Sequence, residues 1–322
     1  MRRIAFVFPG QGSQSVGMGQ ALAAASPAAA TTMQEADEAL GERITDLAWS
    51  GPPETLDRTE NAQPALLATS IAYLRALRER LATEGTDLDP AFAAGHSMGQ
   101  YSAMVAAGAL SLADGVRLVR ERGRLMQASG RGRDGAMAAI LGLDEARLPE
   151  LVAAAAAHGT FGVANRNAPG QVVVSGERAA IEAAAGIAKE LGARKAIVLP
   201  VSVAAHSPLM AEAADGMRAV LGAVEFRDPD VPLLANADAR PITTAEGCRA
   251  ELVEHLTAGV DWIAAVEHMR RAGVTTFLEI GPGRVLTGLI KRIAPDAEAV
   301  AIDDPGAPGG LAIPSGATTA PA

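Results

Sequence analysis

Short, nearly continuous apolar runs rich in branched or aromatic side chains recur at residues 4–8, 91–95, 195–203, 231–236, 275–280 and 299–302. Each reads as a strand, and runs without polar alternation belong to a sheet covered on both faces. Between them lie longer segments of helical periodicity, notably 66–81, 112–126, 181–191 and 211–221, whose many alanines cost little to place in a helix. The alternation predicts an α/β protein with a parallel sheet. The rhythm changes in the middle: strand 136–141, helix 144–157, strands 161–165 and 171–175, helix 177–191, then the strand from 195. That β-α-β-β-α-β order predicts a ferredoxin-like small subdomain at 130–199, inserted into a discontinuous large α/β domain made of 1–129 and 200–302. A Gly- and Arg-rich stretch at 129–135 forms a plausible hinge between them.

The last segment, 303–322, carries four glycines and four prolines and no aromatic or basic residue. It cannot bury enough apolar surface to offset its ordering entropy and is expected to be a disordered tail. The whole chain of 322 residues bears 28 Lys and Arg against 37 Asp and Glu, a net charge of −9 that argues against nucleic acid as a partner. One cysteine, Cys248, permits neither an internal disulfide nor a cysteine-rich metal site and suits a reducing cytoplasm. Metal-ligand spacing is likewise missing from the sequence. Pro9-Gly10 ends the first apolar run too early for a signal peptide, and no run of about 18 apolar residues exists to span a membrane.

The strongest chemical signal is Gly95-His96-Ser97-Met98-Gly99, placed between a strand and the helical pattern that begins at Gln100. A G-x-S-x-G turn there predicts a nucleophile elbow, with Ser97 Oγ exposed at a helix start and the Met98 amide facing a developing oxyanion. The alternative is a strand-to-helix turn whose serine is idle. A base must come from five histidines, and His206 is favoured because it follows a strand and precedes Ser207-Pro208, at the carboxyl end where open α/β sheets bind ligands. His96 sits too close in sequence to face Oγ, His158 closes an Ala-rich helical pattern and His268 lies within the one at 262–271.

On the wheel of 116–126, Arg122 falls inside the apolar arc of Val116, Leu118, Val119, Leu125 and Met126, opposite Arg117, Arg120, Glu121 and Arg124. A guanidinium there needs an anion: either an internal Asp or Glu, or a substrate carboxylate held bidentately. The loop Pro9-Gly10-Gln11-Gly12-Ser13-Gln14 lets backbone approach a ligand and offers a second oxyanion donor. It is not a dinucleotide or Walker motif.

These motifs resemble the malonyl-CoA:acyl-carrier-protein transacylases of fatty-acid synthesis and, more widely, the acyltransferase domains of polyketide synthases. The resemblance runs over about 6–293 and rests on Phe8-Pro9-Gly10-Gln11-Gly12-Ser13-Gln14, Ala62-Gln63-Pro64-Ala65-Leu66, the elbow through Ala103, Arg122-Gly123-Arg124-Leu125-Met126-Gln127, Asn167-Ala168-Pro169-Gly170-Gln171, Val203-Ala204-Ala205-His206-Ser207 and Glu279-Ile280-Gly281-Pro282-Gly283. It implies an α/β-hydrolase-like core with the ferredoxin-like insert and the site between them. It further implies Ser97 as acylated nucleophile, His206 as base, Arg122 as carboxylate clamp, and the Gln11 and Met98 amides as oxyanion hole, with Asn165 or Asn167 shaping the cleft. Malonyl-CoA would be the substrate and an acyl carrier protein the acceptor, by a ping-pong route without metal or redox cofactor; the single cysteine suits a cytoplasmic protein, and with no long heptad run or second interaction domain a monomer is expected. Two departures stand out: His255 occupies a position where glutamine is usual, and Ala205 is small enough to suggest room for a methylmalonyl unit. The other readings are a polyketide-synthase acyltransferase acting in trans, an acyl-thioester hydrolase, and a noncatalytic carrier-docking module using Lys189, Arg194, Lys195, Lys291 and Arg292.

Overall fold

The computed structural model describes residues 3–132, 134–201 and 203–302, so the expected disordered tail lies outside the described residues. Its strands are β1 (Ile4–Phe8), β2 (Pro90–Gly95), β3 (Gly135–Leu141), β4 (Phe161–Ala168), β5 (Gln171–Glu177), β6 (Lys195–Val198), β7 (Leu233–Leu234), β8 (Pro241–Ile242), β9 (Val260–Asp261), β10 (Thr276–Ile280) and β11 (Glu298–Ile302). One sheet runs in the order β11-β10-β1-β2-β7-β8 and is parallel except for the edge pair β7-β8. The other runs β6-β3-β5-β4-β9, antiparallel except where β4 meets β9.

The period of two explains how the parallel sheet is covered. In β1, Ile4, Phe6 and Phe8 enter one core with the helices Pro27–Leu40, Thr59–Thr83 and Leu112–Ser129, whereas Ala5 and Val7 enter another with Trp262–Arg271 and Val285–Ile293. The second sheet is two-faced in a different way. Ala136, Ala138, Ile140, Val172 and Val174 pack under the helices Leu148–Ala156 and Arg178–Glu190, while Met137 and Val173 point to the opposite face and line a cleft between the sheets.

Several expected elements change extent. The strand expected at 195–203 stops at Val198, because Pro200 has no N–H to continue a ladder, and β6 pairs antiparallel with β3 as the last strand of the 130–199 pattern. The strand expected at 231–236 keeps only Leu233–Leu234. The helix expected at 144–157 begins as a 3-10 turn, Glu145–Arg147, before the α-helix Leu148–Ala156. The helix expected at 66–81 instead starts at Thr59, with Pro64 inside it. Pro64 cannot donate to the Glu60 carbonyl one turn earlier, and Arg120 Nη1 donates to that oxygen at 2.8 Å instead. Among the described residues no helix is long and apolar enough to cross a membrane.

Candidate active site

β2 ends at Gly95, and the chain turns through His96, Ser97 and Met98 into the helix Gly99–Ala106. Ser97 adopts φ 53°, a left-handed conformation that costs a non-glycine residue on the order of 1 kcal/mol and must be held by its surroundings. Asn236 supplies part of that hold: its Oδ1 accepts from Ser97 N–H at 2.8 Å while its Nδ2 donates to Gly95 O at 3.1 Å. Gly99 has no room for a side chain, since a Cβ there would lie 2.2 Å from Phe8 O. Gly10 is equally confined, with His96 O at 2.5 Å from a Cβ position. The β1 loop and the elbow therefore touch through backbone, which brings the Gln11 amide to the serine's side of the sheet. Among the described residues, neither Gln11 N–H nor Met98 N–H has a protein acceptor.

His206 Nε2 lies 2.8 Å from Ser97 Oγ, and His206 Nδ1 lies 2.6 Å from the His255 carbonyl oxygen. A carbonyl only accepts, so the ring proton sits on Nδ1 and the bare Nε2 faces the serine hydroxyl. Burial first, and the neighbouring Arg122 charge second, push the His206 pKa down to about 3. The imidazole is thus neutral and able to take a proton. The route by which the chain places it differs from the sequence expectation. His206 follows an irregular segment after β6, at φ 57°, and precedes the 3-10 turn Pro208–Met210; it is not at the carboxyl end of a parallel-sheet strand. The remaining histidines have other settings: His96 Nε2 is 2.8 Å from Asn167 Oδ1, and His268 packs edge-on against Phe92.

Arg122 is 1% exposed. Its Nη1 donates to Gln63 Oε1 at 2.8 Å, and its Nη2 lies 3.1 Å from Ser97 Oγ and 3.2 Å from His255 Nε2. Its Nε has no partner, and the guanidinium stands 5.9 Å from the centre of the Tyr101 ring. Among the described residues no carboxylate comes within ion-pair distance of it, which removes the internal Asp or Glu partner that the wheel left open. Burial accordingly pushes the Arg122 pKa down, and an arriving anion would reverse that penalty.

Ser97, His206 and Arg122 line one cleft of about 730 Å³ together with Gln11, Asn165 and Leu289. Met98 contributes no side chain to the cleft, being fully buried; only its backbone faces the elbow. Asn165 is buried on β4 with its Nδ2 unpartnered, and Asn167 is engaged by His96. Sequence reading did not find Asn236, Glu251 or the side-chain roles of Gln63 and His255. Glu251 Oε1 accepts from Asn236 N–H at 2.7 Å, and burial raises its pKa to about 8. Gln63 sits within a recognised motif, so its place was marked, though not its task.

Residues 5–302 match the acyl transferase domain family. The chain is 44% identical over 306 residues to the malonyl CoA-acyl carrier protein transacylase of Bacillus subtilis, covering 95% of each protein. A crystal structure of an acyl-carrier-protein S-malonyltransferase from Bartonella henselae superposes with a TM-score of 0.90 at 42% identity, covering 96% of this chain and 97% of that one. A solved complex of a type II PKS acyl-carrier protein with its malonyl-transacylase gives a TM-score of 0.89 at 41% identity, again over 96% and 97% of the two chains.

Proposed function

This chain belongs to the acyl transferase domain family, and from that premise we propose that it transfers a malonyl group from malonyl-CoA to the phosphopantetheine thiol of an acyl carrier protein, supplying extender units for fatty-acid synthesis. Ser97 Oγ attacks the thioester carbonyl as His206 Nε2 takes its proton. The carbonyl electron pair moves to oxygen, where the Gln11 and Met98 amides stabilise the charge. The intermediate collapses by breaking the C–S bond, and coenzyme A leaves with the proton from His206. A malonyl-serine ester remains. The carrier thiol then gives its proton to His206 and attacks that ester, and Ser97 leaves and recovers the proton. These groups and the two thiols complete every step, so the proposal includes no metal or redox cofactor.

The observation that carries this reading is Arg122: a buried guanidinium 3.1 Å from the nucleophile with two neutral side-chain acceptors and, among the described residues, no acid. Its fork suits the free carboxylate of a malonyl group, and a neutral acyl chain would leave it unpaired. We further read the parallel sheet as the α/β-hydrolase-like core, 1–129 with 200–302, and 130–199 as the ferredoxin-like subdomain. The order β6-β3-β5-β4 supports the latter, while β9 joins that sheet from outside it. The exposed Lys189 and Lys195 are candidates to steer an acidic carrier. Arg292 is engaged by Gln171 and the Pro169 carbonyl.

Intact-protein mass spectrometry after brief exposure to malonyl-CoA or acetyl-CoA tests the assignment. Wild type should gain a malonyl adduct, Ser97→Ala none, and Arg122→Ala should lose malonyl and accept acetyl. A wild-type protein that takes up no acyl group, or an Arg122→Ala variant that keeps its malonyl preference, would overturn it.

A further inference from the structure

His255 touches the site at two separate points. Its main-chain oxygen accepts from His206 Nδ1, a contact any residue could make. Its side chain makes a second contact, one that needs an acceptor of this length: Nε2 lies 3.2 Å from Arg122 Nη2, and Nδ1 lies 2.9 Å from the Glu251 carbonyl oxygen one helical turn back. Arg122 has only donors, so Nε2 must be a bare lone pair; the carbonyl has only lone pairs, so Nδ1 must carry the hydrogen. Both partners demand the same neutral tautomer. The ring is fully buried, edge-on to Tyr101 at 6.2 Å and tilted against His206 at 6.0 Å. The ionisable groups around it are Arg122, His206, Tyr101 and Glu251. Burial, then Arg122 and His206, hold its pKa well below the ordinary range, in keeping with the geometry.

We propose that the His255 side chain is a positioning residue for acyl-group selection: as a neutral acceptor it fixes Arg122 Nη2 beside Ser97, so that the guanidinium is aimed at the carboxylate of the incoming acyl group. The inference rests on the carboxylate-clamp reading of Arg122. Gln63 Oε1 holds Nη1 at 2.8 Å, so the two acceptors together set the plane of the fork. Neither acceptor is charged, so neither competes with the substrate for the cation as an internal carboxylate would.

Two variants separate this role from packing. His255→Gln retains an acceptor that reaches Arg122. His255→Asn retains an amide at the position of Nδ1, able to satisfy the Glu251 carbonyl, and is too short to reach Arg122. Both keep the main-chain oxygen that orients His206. With malonyl-CoA and acetyl-CoA as probes, the ratio of acylation rates should fall about tenfold or more in His255→Asn, the loss expected for one charge-assisted hydrogen bond, and should return close to wild type in His255→Gln. Equal slowing with both thioesters would assign His255 to packing or to His206 alone and would overturn the proposal, as would an unchanged ratio. If His255→Asn does not fold, His255→Leu carries the same expectation. In wild type near neutral pH, nitrogen-15 shifts should report a protonated Nδ1 and a bare Nε2; a doubly protonated ring would also overturn it. A wild type that takes up no malonyl group sinks the clamp reading itself, whereas normal malonylation with insensitive ratios sinks only the role of His255.

Discussion

At the residue scale, the site concentrates ionisable groups and keeps all but one of them neutral. With its pKa lowered to about 3, His206 stays unprotonated through mild acid. The rate of serine acylation at limiting malonyl-CoA should therefore stay within about twofold from about pH 8 to about pH 5, where an ordinary imidazole would have lost nearly all of its neutral form. Arg122 is the second cause of that depression, so in Arg122→Ala, followed with acetyl-CoA, the acid limb should move to higher pH. An apparent pKa near 6.5 in wild type would contradict this. Glu251 gives the opposite sign in stability. Its pKa is raised from 4.5 to about 8, so between those values the folded protein keeps a proton that the unfolded chain releases. Its contribution to stability is then lost as pH rises through that window, at up to about 1.4 kcal/mol per pH unit. Denaturant titrations of Glu251→Gln should lack this slope, and a slope equal to wild type would show that Glu251 is not its source. Ser97 and Arg122 carry local signatures, glycines around a serine and a cation in an apolar arc, whereas His206 stands out in the sequence for following a strand that in fact ends at Val198. Asn236 and Glu251 carry none, since their work depends on an elbow 139 residues away from Asn236.

At the element scale, the helix Val285–Ile293 shows how a motif residue can act on the cleft without entering it. Glu279, next to last in β10, is a buried carboxylate whose two oxygens accept from Leu286 N–H at 2.9 Å and Thr287 N–H at 2.6 Å. A carboxylate there satisfies first-turn donors and complements the helix dipole. Leu286 and Leu289 of the same helix line the cleft. Glu279→Gln replaces one acceptor by a donor facing an N–H, so thermal unfolding should report a loss of about 2 kcal/mol, and KM for malonyl-CoA should rise more than kcat falls. An unchanged melting temperature would refute the capping role. The elements themselves were readable where apolar runs were continuous, as in β1, β2 and β10. They were misjudged where one residue decided the matter from a distance. The helix expected at 66–81 reaches back to Thr59 through Pro64, where Arg120 supplies the donor that the proline lacks. The segment after β6 has strand-like composition but turns away at Pro200 and leads into the loop carrying His206. No periodicity records either event.

At the scale of the whole molecule, the two sheets divide the labour of the cleft. The parallel sheet presents the elbow, while the antiparallel sheet and the segment after it present Met137, Val173 and Leu199 as an apolar wall. Arg166 on β4 donates to Asp261 Oδ2 at 2.6 Å, and Arg292 donates to the Pro169 carbonyl at 2.6 Å, so the wall is tied to the helices beside it. An acyl-enzyme in such a cleft must prefer a carrier thiol over water, although water is smaller and far more abundant. The geometry gives the thiol two advantages: its long arm can bury apolar surface along the wall, and burial delivers the sulfur to one place near His206 rather than as a diffusing molecule. Water gains neither. Malonyl-CoA turnover without carrier protein should therefore run about a hundredfold or more below transfer to the phosphopantetheinylated carrier. Free pantetheine, with the arm but without the carrier surface, should fall between them. Followed from preformed malonyl-enzyme, Val173→Asp on the wall should lower the rate of transfer to the carrier thiol far more than that of hydrolysis, because water has no arm to lay along that wall. Hydrolysis as fast as transfer in the wild-type protein would instead make the hydrolase reading the better description of the cleft.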